Sequence, residues 1–162
     1  MKKNEKIFMN EAFRIAEKAL ELDEIPVGAI LVDEKENIFS LGINNSSINK
    51  IDHAEIYAIN EAFSNGNENK FKNSTLYVTL EPCLMCLSAA TICKISKIIY
   101  ACECENWGSV KILQSGFKIS KSLQNPLCEI YNGEEKDFFI EKQKNLLKKF
   151  FKEQKKLDSL FK

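Results

Sequence analysis

The sequence predicts an α/β fold in which a mixed β-sheet is covered by helices on both faces. Two observations carry this reading. Helical and strand-like patterns alternate along the chain in the order α-β-β-α-β-α-β-β-α. The first two strands are separated only by a short polar turn, so they pair as an antiparallel hairpin and the sheet is not all parallel. The chain has 162 residues, 44% of them apolar, which suits one hydrophobic core and a single domain over 1–162.

The elements follow in order. Residues 5–23 read as an amphipathic helix, with Phe8, Ala12, Ile15, Ala19 and Leu22 at spacings of three and four. Pro26 ends it. Val27 to Val32 is a continuous apolar run and reads as a buried strand; Asp33 to Asn37 turns, and Ile38 to Ile43 returns as the second strand. Asn44 to Lys50, rich in Asn and Ser, is a loop. Asp52 is placed to cap a helix that starts near His53 and stops at Asn65-Gly66-Asn67. Thr75 to Leu80 is rich in strand formers. Pro82 then opens a helix from about Cys83 to Cys93. Ile95 to Cys102 is another strand. Residues 103–126 are irregular, with one short helical stretch at Val110 to Gln114, and Leu127 to Tyr131 is a short strand. A basic helix over about 134–157 closes the chain, with Phe138, Phe139, Phe150 and Phe151 expected mostly in its core-facing stripe.

Composition limits the function classes. No apolar run approaches the roughly 18 residues of a membrane span. The charged start, Met1 to Lys6, does not resemble a signal or transit peptide, so a cytoplasmic protein is expected. Its six cysteines are therefore expected as reduced thiols or metal ligands instead of a disulfide framework. Net charge is zero, but residues 142–162 hold eight Lys against two acids, a local +6. Such a tail is either a solvated helix face or a surface that meets a phosphate backbone.

The chemistry lies in two short motifs. His53-Ala54-Glu55 is an H-x-E, and Pro82-Cys83-Leu84-Met85-Cys86 is a P-C-x-x-C; each stands at a predicted helix start. One imidazole and two thiolates hold zinc and leave a fourth position open, as a catalytic site requires. A helix start favours the thiolate form through its N–H groups and dipole. Zinc lowers the pKa of water it binds, which makes a nucleophile for a ring carbon bearing an amino group. Glu55, two residues from a ligand, is placed to carry protons to the ring nitrogen and to the departing amine. H-x-E with P-C-x-x-C is the known signature of zinc nucleobase deaminases. A lone C-x-x-C would be weaker, since it also fits a redox pair or half a zinc ribbon. A second C-x-x-C is missing here, and His53 is the only histidine in the chain.

These motifs resemble the cytidine deaminase superfamily, most closely the bacterial tRNA adenosine deaminases that convert a wobble adenosine to inosine. The resemblance is strong over 25–32, 53–63 and 75–90. It implies a three-layer α/β/α sandwich around a five-stranded mixed sheet, with one zinc ion on His53, Cys83 and Cys86 and with Glu55 catalytic. It also implies that Pro26 and Val27 line the base pocket, that Asn44 and Ala54 contact the nucleotide, and that Phe151 and Lys152 on the last helix touch an anticodon loop. A homodimer and a tRNA partner are implied in the same way. Two segments depart from the family pattern. Ser46 to Asp52 is about two residues short and lacks the usual Asp-Pro-Thr-Ala lead-in, and Ala101 to Ser109 replaces a Gly-rich turn. Both would border the nucleic acid, so a deaminase of a free base or nucleoside, of guanine or cytosine type, stays open beside the tRNA reading. A non-catalytic zinc- or RNA-binding subunit is the alternative of another class, against which Glu55 argues. Cys93, Cys102 and Cys128 are expected as small buried side chains. Trp107 is expected in core or loop packing, with stacking on a base as its alternative.

Overall fold

The computed structural model describes residues 4–160, with side chains to residue 155. Met1 to Lys3 of the charged start, and the side chains of 156–162 in the basic tail, lie outside this description. The elements are α1 (Glu5–Glu21), β1 (Gly28–Val32), β2 (Ile38–Ile43), α2 (Ala54–Ser64), β3 (Thr75–Leu80), α3 (Leu84–Ile92), β4 (Lys97–Cys102), α4 (Val110–Gln114), β5 (Leu127–Ile130) and α5 (Lys136–Leu160). One 3-10 turn at Glu68–Lys70 was not expected.

The sheet has five strands in the order β2-β1-β3-β4-β5. β1 is antiparallel to both β2 and β3, whereas β3, β4 and β5 run parallel. All five residues of β1 are buried. Alternation sends Ile30 and Val32 to one face and Ala29 and Leu31 to the other, and each face meets its own helix layer. On the first face, Phe8, Met9, Ala12 and Phe13 of α1 pack with Phe139 of α5; the Phe13 and Phe139 rings stack at 5.2 Å. On the second, Ala58, Ile59 and Ala62 of α2 and Leu87 and Ala90 of α3 cover Leu76, Val78 and Ile98. The result is the three-layer α/β/α sandwich.

Two glycines set the helix-to-sheet distance. A Cβ on Gly28 would be driven into the Ala12 carbonyl of α1, and one on Gly42 into the Ala54 carbonyl of α2. Both helices therefore rest directly on strand backbone.

Several local expectations need correction. Leu22 does not belong to the buried stripe of α1. The helix stops at Glu21, Asp23 turns left-handed at φ 58, and the Glu24 N–H returns to the Ala19 carbonyl at 2.9 Å. Leu22 is thereby left in solvent. His53, not Asp52, occupies the N-cap of α2, and no side chain caps it. Ile95 and Ser96 precede β4, because Ile95 closes the turn after α3 by bonding to Ala90. Of the aromatic pairs on α5, Phe139 is fully buried while Phe138 and Phe151 are exposed. Adjacent helical residues point about 100° apart, so only one of each pair can face the sheet. Cys102 is buried as expected, but Cys93 and Cys128 are only half-buried. Trp107 packs in no core and is 74% exposed.

Candidate active site

Two helix starts on the same sheet face build the site. The β2–α2 loop delivers His53 in an extended conformation, φ −65° and ψ 157°, as the N-cap of α2. The end of β3 delivers Cys83 in nearly the same geometry, φ −77° and ψ 169°, as the N-cap of α3. Cys86 follows in the first turn of α3 and is fully buried. His53 Nδ1, Cys83 Sγ and Cys86 Sγ form a triangle with all three edges at 3.6 Å. A tetrahedral zinc with sulfur at about 2.3 Å and nitrogen at about 2.0 Å requires donor separations of roughly 3.5–3.8 Å. The three donors fit that ion and leave its fourth position free. Among the described residues, this is the group of histidine, cysteine and acidic side chains spaced to hold a metal.

The electrostatics suit the same purpose. The two sulfurs lie within hydrogen-bond distance of each other. Hydrogen bonding to Cys86, and then to His53, holds Cys83 down to about 4. Cys86 is pushed up by the bond to Cys83 and by burial. His53 is raised by its bond to Cys83. A dication bound here would draw both sulfurs to the thiolate form. Glu55, in the first turn of α2, is 4% exposed and touches Cys86. Burial pushes its carboxyl up to about 7, which favours its taking up a proton.

The other residues singled out in the sequence fall into two places. Pro26, Val27 and Asn44 lie together where β1 begins and β2 ends: the Asn44 N–H donates to the Val27 carbonyl at 3.3 Å. The Asn44 amide donates to Ser46 Oγ at 2.8 Å and to Glu24 Oε2 at 3.4 Å. Both of its Nδ2 hydrogens are thus engaged, and Oδ1 is left as the free acceptor. Ala54, the first residue of α2, is fully buried, and its backbone N–H is among those that a helix start leaves without an intrahelical partner. Phe151 and Lys152 are exposed on α5, about two turns beyond Gln143. No contact joins them to the metal ligands.

Three supporting residues were not singled out in the sequence. Glu24 is buried and receives the Ser47 N–H and hydroxyl as well as the Asn44 amide. Glu81, 8% exposed, accepts the Cys104 N–H on Oε2 and the Val110 N–H on Oε1, both at 3.0 Å. Gln143 of α5 is fully buried, donates to the Pro26 carbonyl at 2.9 Å and leaves its own Oε1 unpaired. The position of Glu81 between a strand and Pro-Cys was the one available signal. Nothing distinguished Glu24 or Gln143 from surface residues.

A family model for the cytidine and deoxycytidylate deaminase zinc-binding region matches residues 2–102. The chain is 37% identical over 147 residues to the tRNA-specific adenosine deaminase of Rickettsia bellii, spanning 89% of this chain and 97% of that protein. A solved structure from studies of A-to-I editing by tRNA:A34 deaminases superimposes with a TM-score of 0.66 at 28% identity, over 78% of this chain and 98% of that one. The guanine deaminase of Bacillus subtilis superimposes with a TM-score of 0.57 at 25% identity, over 84% and 91%.

Proposed function

Since this chain belongs to the cytidine and deoxycytidylate deaminase family and is a zinc-dependent enzyme of it, we propose that it hydrolytically deaminates the wobble adenosine of a tRNA anticodon to inosine. The observation that carries the substrate is the 37% identity over nearly the whole of a tRNA-specific adenosine deaminase. The metal site supports the reaction itself.

His53, Cys83 and Cys86 would hold a zinc ion, which would supply Lewis-acid activation of the attacking water. Glu55 accepts a proton from that water and passes it to the ring nitrogen beside the amino-bearing carbon. It then moves the second proton to the departing amine, so adenosine and water become inosine and ammonia. Pro26 and Val27 form the apolar wall of the base pocket. Asn44 accepts from the nucleotide through its free Oδ1, and Ala54 donates its backbone N–H to the base. Phe151 and Lys152 meet the RNA on the basic α5, where phosphate contacts make binding salt-dependent.

Residues 1–162 work as a single domain in the cytoplasm, and the described residues include no helix long and apolar enough to cross a membrane. The active form is a homodimer. Leu84 and Ile92 share one exposed face of α3 and give the partner an apolar patch, which sedimentation of the zinc-loaded protein at varied concentration tests. Incubating that protein with an anticodon stem-loop and assaying inosine tests the substrate. Product on the stem-loop supports the proposal; none there, with rapid ammonia release from a free base, overturns it. The second reading, a free-base deaminase, draws on the likeness to guanine deaminase and on the altered segments 46–52 and 101–109.

A further inference from the structure

Trp107 is the only tryptophan in the sequence and is 74% exposed. An aromatic ring of that size left in water forgoes its largest packing contribution. Its backbone, however, is held on both sides. Glu81 receives the Cys104 N–H before it and the Val110 N–H after it. The Gly108 N–H donates to the Cys104 carbonyl at 2.8 Å, and the Ser109 N–H to the Pro82 carbonyl at 3.2 Å. Ser109 Oγ donates back to the Trp107 carbonyl at 3.1 Å. Gly108 packs so closely on the Glu81 carboxylate that a Cβ there would collide with Oε2. The ring thus projects from a clamped loop whose other jaw is Glu81-Pro82, directly before the metal ligand Cys83.

A mount of this kind fixes the backbone from which the exposed ring projects before any ligand arrives, which lowers part of the ordering cost of binding. The local charge narrows what the ring can meet. Glu103 and Glu105 flank it in the exposed loop, and no basic residue occurs between Lys97 and Lys111. The loop itself offers a phosphate no cation, whereas the uncharged face of a base needs none.

We infer that Trp107 is a stacking platform for the nucleobase next to the target base, and that it is a specificity-determining residue of the deamination. The inference rests on the RNA reading of the site. A base must leave its stack before its amino-bearing carbon can reach the metal site, and this exposes a face of the neighbouring base. Trp107, whose loop is tied to Glu81 and Pro82 just before Cys83, replaces the lost stacking partner. Base–aromatic stacking tolerates any base identity, so the platform selects a single-stranded context more than a letter.

The single tryptophan is its own probe. Titrating the zinc-loaded protein with an anticodon stem-loop should quench Trp107 emission, saturating at the concentration where a gel shift saturates. Trp107→Ala should raise KM roughly ten- to a hundredfold while kcat at saturating RNA stays within about twofold, and Trp107→Phe should restore most of the loss. A stem-loop made abasic beside the target should bind wild type and Trp107→Ala equally. Zinc content and a thermal melt confirm that each variant is folded. Unchanged emission on a stem-loop that is bound and deaminated removes the platform and leaves the RNA substrate standing. So does an unchanged KM for Trp107→Ala, or an emission already typical of a buried ring before RNA is added. A stem-loop neither bound nor deaminated removes the RNA reading first, and the platform with it.

Discussion

Glu55 lies in the first turn of α2, 4% exposed, with its carboxyl pushed up to about 7 by burial. Burial thus works against its charged form and favours its taking up a proton, as a residue that accepts and returns one requires. Glu55→Gln keeps the shape but carries no transferable proton. Its zinc content by metal analysis should match wild type while kcat falls by about 10²–10⁴; turnover at the wild-type rate would take Glu55 out of the chemistry. Cys83 offers a second check. Held down to about 4, it is a thiolate at pH 6 in the metal-free protein, where an ordinary thiol near 8.5 is almost wholly protonated. Iodoacetamide at pH 6 should label Cys83 first by peptide mass spectrometry. Cys128, pushed up to about 12 by burial, should remain unlabelled, and zinc should protect Cys83. Equal labelling of all thiols would contradict the assignment. At this scale the metal ligands and Glu55 were legible, because their chemistry needs fixed residue types at fixed spacing. Glu24 was not, and Glu81 only through its place before Pro-Cys, because a carboxylate that collects N–H groups from a distant loop looks in sequence like any surface acid.

At the scale of elements, β1 was legible because a strand covered on both faces must be apolar at every position, and Val27 to Val32 is such a run. The end of α1 was not, because the apolar spacing continues through Leu22 beyond the left-handed Asp23 that stops the helix. The seating of α2 on β2 was invisible too, since Gly42 in a strand reads only as a weak position. In the structure it is a contact, and a methyl there would meet the Ala54 carbonyl one residue from His53. Gly42→Ala should therefore cost about 1–3 kcal/mol in urea unfolding. It should also weaken zinc in a chelator competition, because the helix start that carries His53 must lift. Loss of stability with unchanged zinc affinity would show that the two helix starts are not coupled through this contact. Gln143 makes a similar link on the other face, joining α5 to the Pro26 carbonyl at the mouth of β1.

Over the whole molecule, element order announced a mixed sheet but not its strand order. The placement of β1 between β2 and β3 depends on pairing between residues far apart in sequence, such as Ala29 with Val78, which periodicity does not record. That topology brings α2 and α3 side by side, so a metal bound by one ligand from α2 and two from α3 also ties the layer together. Removing zinc with a chelator should lower the melting temperature. An ion at a thousand times its Kd contributes about 4 kcal/mol, which for a chain of this size is roughly 10 °C. Melting unchanged by the chelator, with zinc shown to have left, would mean that the ion does not brace the fold.

The clamp that Glu81 closes at the foot of the 103–126 segment also separates two kinds of change. Below it, the donor triangle hangs from helix starts seated on the sheet. Beyond it, Val110, Leu113 and Ile119 still rest on the core beneath α3, while most of the other residues of the long connection to β5 are exposed. A chain built this way can acquire a new preference for what it reads through its outer loops alone, while inheriting its reaction unaltered.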